Sequence, residues 1–346
     1  MACRFVFDDG EAFDVSPAPG ETLLATAERG GVSLMVDCRE GTCLSCRGRL
    51  TGGKVTYAAR HERTLRVAPL AADEVLCCIA EPEDAAVAVT FGYPRAAVRP
   101  VRKMVLELTE VATLSERVVA LRGAIRGRFK LAFMPGQYLE LQVPGDGSRR
   151  SYSMANASST PNAVELHVRL VPGGVMSDYL KNRAVPGDLL DVRGPLGVFY
   201  LRRRPVARLF VTGGTGLAPI VSMLRDLVAW GEVDLPISLL HGVTTRGDLY
   251  GLEEVRELLS NFPDHHFAVA MQDPDTDWAG VCGRVTELSL AEELARLGRD
   301  LDVYLCGPPP MIQAVRQVAD DAGIASERVF SEAFSAAPAS AGVAPR

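Results

Sequence analysis

Three cysteines within nine residues constrain this chain more than any other feature. Cys38, Cys43 and Cys46 lie in the segment DCREGTCLSCRGRL with the spacing C-x4-C-x2-C. This spacing is typical of a plant-type [2Fe–2S] cluster, which also needs a distant fourth thiolate. The backbone must curl closely around such a group, so Gly41 is expected to adopt a positive φ.

Two adjacent cysteines, Cys77 and Cys78 in DEVLCCIAEP, are the candidates for the fourth ligand. Successive side chains of a strand point to opposite faces, so only one of the two can face the loop, and the alternation alone does not choose between them. Cys3, Cys282 and Cys306 stand apart from this group and are expected to be packing residues.

A zinc site and a group of buried free thiols are the alternatives to an iron–sulfur cluster. Structural zinc sites usually combine two short pairs of Cys or His ligands. The sequence shows no second pair beside Cys43 and Cys46, and its five histidines are scattered. The spacing therefore favours the cluster.

Composition limits the classes of function. With 346 residues, two or three domains are expected. The formal net charge of −6 argues against a nucleic-acid partner or an anionic membrane surface. Neither a signal sequence nor a stretch of 18 apolar residues is evident, so a cytoplasmic protein without a membrane span is expected. In that reducing compartment, clustered thiols more often bind metal than form disulfides.

Changes in hydrophobic periodicity divide the chain. Residues 1–93 begin with two strands and a helix that Thr22 or Glu21 opens and Gly30-Gly31 ends, and a proline-containing linker follows at 94–103. Residues 104–204 alternate apolar and polar positions, as at Leu139, Leu141 and Val143, which predicts an antiparallel β-barrel or sandwich with one helix near residues 176–183. Residues 205–334 alternate strands with helices, which predicts a parallel α/β sheet, and residues 335–346 are expected to be a disordered tail.

The segment SRRSYSMAN resembles the R-x-Y-S motif of the ferredoxin–NADP reductase superfamily. A flavin site needs an aromatic ring for stacking, a hydroxyl near the reactive nitrogen and a cation for the pyrophosphate. Arg150, Tyr152 and Ser153 supply these groups. The glycine turn of PGGVMSDYL opens a helix whose first amides suit the same pyrophosphate. The candidate residues in this second segment are Gly174, Met176 and Ser177.

Two further segments suggest a nicotinamide nucleotide site. VTGGTGLAP lies between a strand and a helix but departs from G-x-G-x-x-G, and it resembles the glycine turn of the same superfamily. CGPPPM follows a later strand, at the end where open α/β sheets bind ligands. The candidate residues are Thr212, Gly213, Gly214, Thr215, Gly216, Cys306, Gly307 and Pro308.

The resemblance also implies roles for residues near these segments. Cys306 would lie beside the nicotinamide, and Glu332 and Phe334 match a terminal E-x-F segment in which Phe334 would cover the flavin ring. A packing role for Phe334 is equally compatible with the sequence. Arg246 and Asp248 in GVTTRGDLYG bear on the adenine ribose: an acidic group favours NADH, whereas an arginine favours a 2′-phosphate. The two residues therefore indicate opposite coenzymes. The resemblance favours NADH, with Asp248 as the residue that binds the ribose.

The whole order resembles the reductase components of aromatic-ring-hydroxylating dioxygenases of the benzoate, toluate and anthranilate type. VLCCIAEP resembles the last-ligand segment of a plant-type ferredoxin, which implies Cys78 as the fourth ligand. The resemblance implies a β-grasp ferredoxin domain, an FAD-binding barrel and a nicotinamide-binding domain. It further implies an oxidoreductase that passes electrons from NADH through FAD and [2Fe–2S] to a terminal oxygenase, with Ser153, Cys306, Glu332 and Phe334 at the reacting groups.

Other interpretations remain open on the sequence. Reductases of di-iron monooxygenases and of bacterial cytochromes P450 would keep the cofactors and change the acceptor. A self-contained flavin oxidase and a zinc-bearing regulatory protein are less compatible with these motifs. Arg39, Arg47 and Arg49 surround the cysteine loop, and we hypothesise that their positive charge docks an acidic acceptor.

Overall fold

The computed structural model describes residues 2–67, 70–128 and 130–334. These residues form two compact units. One holds the described residues up to Val101 together with Pro195–Val198, and the other holds Arg102–Gly194 and the described residues from Phe199 onward. The domain boundaries expected at residues 93, 104 and 204 stay predictions, and the predicted tail, 335–346, lies outside the described residues.

The first unit is a mixed β-sheet with two short helices. Its sheet has the strand order β2-β1-β7-β3-β5, in which β1 and β7 are parallel, and β4 pairs with β6 separately. The elements are β1 (Ala2–Val6), β2 (Ala12–Val15), α1 (Leu23–Arg29), β3 (Arg47–Gly52), β4 (Val55–Tyr57), α2 (Glu62–Val67), β5 (Glu74–Leu76), β6 (Ala80–Pro82) and β7 (Ala86–Thr90).

Helix α1 forms where the sequence predicts it. The Thr22 hydroxyl accepts a hydrogen bond from the Ala25 amide at 3.2 Å, a cap that stabilises a helix by about 1 kcal/mol. Gly30 ends the helix, and Leu23 and Ala27 are buried. The backbone of Cys77 accepts a hydrogen bond from the Leu24 amide at 2.8 Å, so α1 holds the segment that carries the candidate fourth ligand.

The second unit begins with a six-stranded antiparallel sheet of order β11-β10-β13-β8-β9-β12. A bridge between Met154 and Leu166 joins its two edges, which bends the sheet towards a barrel. Leu139, Leu141 and Val143 are buried in its core, as the alternation predicts. The elements are β8 (Arg102–Thr113), β9 (Val118–Arg126), β10 (Tyr138–Gln142), β11 (Arg149–Ser153), β12 (Ala163–Arg169), α3 (Val175–Asn182) and β13 (Leu189–Leu196).

A parallel sheet of order β17-β16-β15-β14-β18-β19 completes the second unit. The strand order reverses between β14 and β18, and such switch points are where open α/β sheets bind ligands. The elements are β14 (Ala207–Gly213), α4 (Leu217–Trp230), β15 (Ile237–Val243), α5 (Leu252–Leu259), β16 (His265–Met271), β17 (Val281–Cys282), α6 (Leu290–Leu297), β18 (Leu301–Gly307), α7 (Pro309–Asp321) and β19 (Val329–Ala333).

Helix α4 is fastened to the loop that follows the barrel strand β11. The Ser222 hydroxyl donates to the Asn156 carbonyl at 2.7 Å, and the Ser158 amide donates to Asp226 at 3.0 Å. Arg225 binds Glu165 on β12 at 2.7 Å. Because the α4 residues are fully or largely buried, these contacts fix the parallel sheet against the antiparallel sheet within this unit.

No helix within the described residues combines the length and apolar character that a membrane span requires. Helices α2 and α6 were not predicted from the sequence. Pro219 lies in the first turn of α4, where a proline is tolerated because that amide has no intrahelical partner.

Candidate redox centre and nucleotide site

The structure gathers four cysteines into two pairs in the first unit. The Cys38 amide donates to the Cys43 sulfur at 3.4 Å, and the Cys78 amide donates to the Cys46 sulfur at the same distance. The two thiols of each pair also hydrogen-bond to each other, which lowers the pKa of Cys38 in the first pair and of Cys78 in the second. Two pairs of thiols are what two irons require, since a plant-type cluster takes four cysteine thiolates.

Cys77 and Cys78 face different surroundings. Cys77 is fully buried, and burial raises the pKa of its thiol. Cys78 retains slight exposure, and its interaction with the Cys46 thiol lowers its pKa. Both cysteines lie in the turn between β5 and β6, not on a strand as the sequence suggested. A thiolate is the form that binds metal, so the environment in this turn favours Cys78 over its neighbour.

Backbone amides of the cysteine loop donate hydrogen bonds to a cysteine sulfur. The Glu40 and Cys43 amides donate to the Cys38 sulfur at 3.3 and 3.4 Å. The hydrogen bond from the Cys43 thiol is the main cause of a Cys38 pKa of about 4. Gly41 has φ of 78°, as expected, and Arg39 has φ of 61°, a conformation uncommon for a residue with a side chain.

A single zinc ion would gather its thiols at one point, whereas two irons take two thiols each. The two thiol pairs, the donated amides and the compact turn at Gly41 fit a binuclear cluster. Cys38, Cys43, Cys46 and Cys78 are the residues that would hold it.

The arginines around the loop are each paired with an acidic side chain. Arg39 binds Glu28 at 3.0 Å, and the other two arginines pair with Glu74 and Asp73 at 3.4 and 3.1 Å. Each positive charge therefore has an acidic neighbour, which weakens the positive potential around the loop, and the docking hypothesis stays a prediction. Cys282 also differs from expectation, because it is exposed on the edge strand β17.

The R-x-Y-S residues lie on β11, paired with β10. Ser153 is buried opposite Tyr138, and Tyr152 packs partly against the barrel core. Burial raises the pKa of Tyr152 to about 12, so its phenol stays neutral at physiological pH. The Arg150 guanidinium donates to the Arg149 carbonyl at 2.8 Å. The strand thus presents a neutral aromatic ring, a hydroxyl and a cation within four residues.

The glycine turn before α3 has the shape expected of an anion site. Gly173 has φ of 70°, and Gly174 precedes the helix. The Ser177 hydroxyl accepts from the Val171 amide at 2.8 Å and can still donate its own proton. Met176 is buried in the barrel core that Tyr152 also touches. The turn and the helix N-terminus suit a pyrophosphate.

The two glycine turns of the parallel sheet touch each other. A side chain at Gly216 would place its Cβ 2.1 Å from the Cys306 carbonyl oxygen, and one at Gly213 would lie 2.8 Å from the Pro308 ring. Gly214 has φ of 54°, and Thr215 is partly exposed beside it. The glycines are therefore required for this close approach of β14 to β18, at the strand-order reversal.

Three predicted residues form one row across the carboxyl ends of the strands. Thr212, Cys306 and Glu332 are direct neighbours in register on β14, β18 and β19. Cys306 is fully buried, and burial raises the pKa of its thiol. The Phe334 amide donates to the Gly307 carbonyl at 2.9 Å, and its ring packs partly against the core. The structure thus brings the candidate nicotinamide residues together.

Two residues beside this row were missed from the sequence. The Thr212 hydroxyl lies 2.8 Å from Nδ1 of His241, which is fully buried, and burial lowers the pKa of His241 to about 4. Tyr250 is buried near Cys306 and makes an edge-to-face contact with His167 at 5.1 Å. A lone histidine or tyrosine in a sequence carries no signal of such contacts.

Asp248 does not have the environment predicted for a ribose ligand. Its side chain is 3% exposed, accepts hydrogen bonds from the Thr245 amide and hydroxyl, and binds Arg169 at 3.0 Å. These contacts occupy the carboxylate in the turn after β15. Arg246, by contrast, lines an open cavity of about 400 Å³.

Three family models match the chain in the predicted order. A "2Fe-2S iron-sulfur cluster binding domain" matches residues 6–83, an "Oxidoreductase FAD-binding domain" matches 105–200, and an "Oxidoreductase NAD-binding domain" matches 210–317. The matches confirm the predicted fold class and the predicted cofactors, [2Fe–2S], FAD and a nicotinamide dinucleotide. They also confirm that the chain is an oxidoreductase.

Relatives match over nearly the whole chain. The toluate 1,2-dioxygenase electron transfer component of Pseudomonas putida is 33% identical over 95% of this chain and 97% of its own length. The aromatic O-demethylase reductase subunit of an Amycolatopsis species is 35% identical over 92% of this chain and 95% of its own. The crystal structure of Amycolatopsis cytochrome P450 reductase GcoB is 32% identical, with a TM-score of 0.70 over 96% of this chain and 98% of that one. The chain therefore belongs to the family of oxygenase electron transfer components, reductases that combine a [2Fe–2S] domain with FAD- and NAD-binding domains.

Proposed function

We propose that this reductase takes electrons from NADH and delivers them singly to the terminal oxygenase of an aromatic-ring dioxygenase of the benzoate, toluate or anthranilate type. The observation that carries the proposal is the pairing of Cys38 with Cys43 and of Cys46 with Cys78 in a chain that also holds a nucleotide turn. Bound flavin and cluster supply the conversion of a two-electron donor into single-electron steps.

The chain's own residues bind and orient these groups. Cys38, Cys43, Cys46 and Cys78 hold the cluster, and donated amides offset its negative charge. Tyr152 and Ser153 face the flavin ring, while Arg150 and the amides of α3 hold its pyrophosphate. Gly213 and Gly216 let the nucleotide approach the backbone. Cys306, Glu332 and Phe334 shape the pocket at the nicotinamide and exclude water there.

The acceptor has a second candidate. The Amycolatopsis reductases named above match as well as the dioxygenase components do, and one of them is named a cytochrome P450 reductase. The phenol 2-monooxygenase reductase component of a Pseudomonas species is 32% identical over 97% of this chain. Two dioxygenase components, those of toluate and anthranilate 1,2-dioxygenase, are each 33% identical to this chain, which supports a dioxygenase as the acceptor.

Reconstitution with purified acceptors tests the proposal. We expect NADH-dependent product formation with the hydroxylase component of a benzoate-type dioxygenase, and a rate at least tenfold lower with a cytochrome P450 or a di-iron hydroxylase at equal concentration. A higher rate with either of the other two acceptors would contradict the proposed partner. Failure with all three, despite NADH oxidation, would contradict an oxygenase acceptor.

A pair of adjacent arginines tests the flavin site. Arg150→Ala should weaken FAD binding about tenfold or more, because a charge-assisted hydrogen bond contributes ~1.5–3 kcal/mol. Arg149→Ala is the matched control, since Arg149 points to the other side of β11 and pairs with Glu140 at 3.0 Å. Its FAD affinity should stay within about twofold. Fluorescence titration of the apoprotein measures both, and equal losses in the two variants would refute the assignment.

We also propose that the protein works in the cytoplasm. All eight cysteines are free thiols, and cluster ligands must remain reduced until iron is bound.

A further inference from the structure

We propose that Asp275 sets the preference for NADH over NADPH by holding Arg246 at the cavity that receives the adenosine half of the coenzyme. The inference rests on the proposed use of a nicotinamide dinucleotide, and it names a specificity-determining residue that the sequence motifs do not include.

The cavity lies where the adenosine should be. It has a volume of about 400 Å³, within the range of small-molecule sites. Phe267 and Val269 of β16 form its floor, and Trp278 and Arg256 contribute its walls, so an apolar and aromatic surface is available to a purine. Cavities at the carboxyl ends of parallel strands are the usual ligand sites of open α/β sheets.

The register of the sheet links this cavity to the nicotinamide residues. Val269 pairs with His241, His241 pairs with Thr212, and Thr212 pairs with Cys306. Side chains paired in this way share one face of the sheet. The four strands are separated by three inter-strand distances, so Val269 and Cys306 lie about 14 Å apart. The glycine turn that follows β14 lies between them. A dinucleotide laid along this row would place its pyrophosphate at the turn.

Two guanidinium groups line this cavity and could favour a 2′-phosphate: Arg256, which lies over the Phe267 ring, and Arg246, whose charge Asp275 neutralises. The Asp275 carboxylate binds the Arg246 guanidinium through both Nε and Nη2, the latter at 2.6 Å. This interaction lowers the pKa of Asp275 and raises that of Arg246, and Asp277 adds a second negative charge nearby. A 2′-phosphate would have to displace Asp275 and would meet both carboxylates. The 2′-hydroxyl of NADH can instead donate to a carboxylate.

This arrangement resolves the conflict between Arg246 and Asp248. Asp248 is buried by its own contacts in the turn, which occupy its carboxylate. Asp275 lies far from Arg246 in sequence, beyond β16, and reaches it only in the folded chain.

Binding of two adenosine probes to the full chain tests the proposal. Calorimetry would compare 5′-AMP with adenosine 2′,5′-bisphosphate, so the readout does not depend on flavin or cluster content. Asp275→Asn should raise the affinity for the bisphosphate relative to AMP about tenfold, because the freed guanidinium gains a phosphate partner. Adding Arg246→Ala to that variant should abolish the gain, whereas Arg246→Ala alone should change the ratio less than about threefold.

Asp264→Asn is the matched control. Asp264 precedes β16 and binds Arg296 at 2.5 Å. The substitution therefore removes an exposed ion pair at the end of β16 that is opposite to Asp275. The ratio should not change in this variant. An unchanged ratio in Asp275→Asn, an equal change in Asp264→Asn, or the absence of binding of both probes would each overturn the proposal. Loss of the proposed function would show separately, as a protein that binds AMP but does not oxidise NADH.

Discussion

Cys78→Ala should reduce NADH-dependent reduction of a one-electron protein acceptor such as cytochrome c by at least a hundredfold. The substitution removes one of four thiolates, and the Cys46 thiol loses the thiol with which it interacts, although the backbone amide at position 78 still donates to its sulfur. The second unit, which carries the FAD- and NAD-binding domains, keeps all its residues, so NADH should still reduce a two-electron dye at the flavin. Iron content, the visible spectrum and the two acceptor assays measure the effect.

Cys77→Ala is the matched control, one position away in the same turn. Cys77 is fully buried, and its backbone hydrogen-bonds to Cys46 and Leu24, bonds that alanine keeps. Alanine there should cost about 1 kcal/mol of unfolding free energy and leave iron content and cytochrome c reduction near wild type. Loss of iron in Cys77→Ala with retention in Cys78→Ala would reverse the assignment of the fourth ligand.

Gly216→Ala should lower kcat/KM for NADH about a hundredfold, which corresponds to ~2.7 kcal/mol of transition-state stabilisation. The new Cβ would lie 2.1 Å from the Cys306 carbonyl oxygen, so β14 and β18 would have to separate at the nicotinamide end. Flavin and cluster spectra should be retained, because their residues lie elsewhere. Steady-state kinetics with NADH as the varied substrate measures the change.

A second glycine of the same domain controls for the loss of glycine itself. Gly231 ends α4 with φ of 70° and has open space at its Cβ position. Gly231→Asn should keep kcat/KM within about twofold, because asparagine tolerates this conformation. If Gly216→Ala oxidises NADH as efficiently as this control, the close approach of the two turns has no role in coenzyme binding.

Local chemistry made much of this fold predictable. The Thr22 cap, the glycine stop at Gly30 and the period-2 alternation at Leu139 and Leu141 each depend on residues close in sequence. The cysteine spacing also carries its meaning locally, since a cluster loop needs ligands at fixed separations. Periodicity therefore predicts the order of the three segments, and the resemblance of their motifs to the reductase superfamily supplies the flavin and nicotinamide assignments.

Contacts between distant segments account for what was missed. The bonds of Ser222 and Asp226 on α4 to the loop after β11 join residues more than 60 positions apart. Arg246 and Asp275 also bind each other across a gap in the sequence, of 29 positions. Asp248 illustrates a related effect: its proximity to Arg246 in sequence suggested a shared ribose site, whereas the folded turn buries its carboxylate. Its role as a ribose ligand stays a prediction.

The central claim is that one chain carries NADH electrons through flavin to a [2Fe–2S] cluster. Anaerobic titration of the purified holoprotein with NADH, followed by visible absorption and electron paramagnetic resonance, tests it most directly. We predict absorption bands of both groups, bleaching of both by NADH, and the resonance of a reduced [2Fe–2S] centre that is absent from Cys78→Ala. Bleaching of flavin alone in a protein that contains the full complement of iron would contradict the claim.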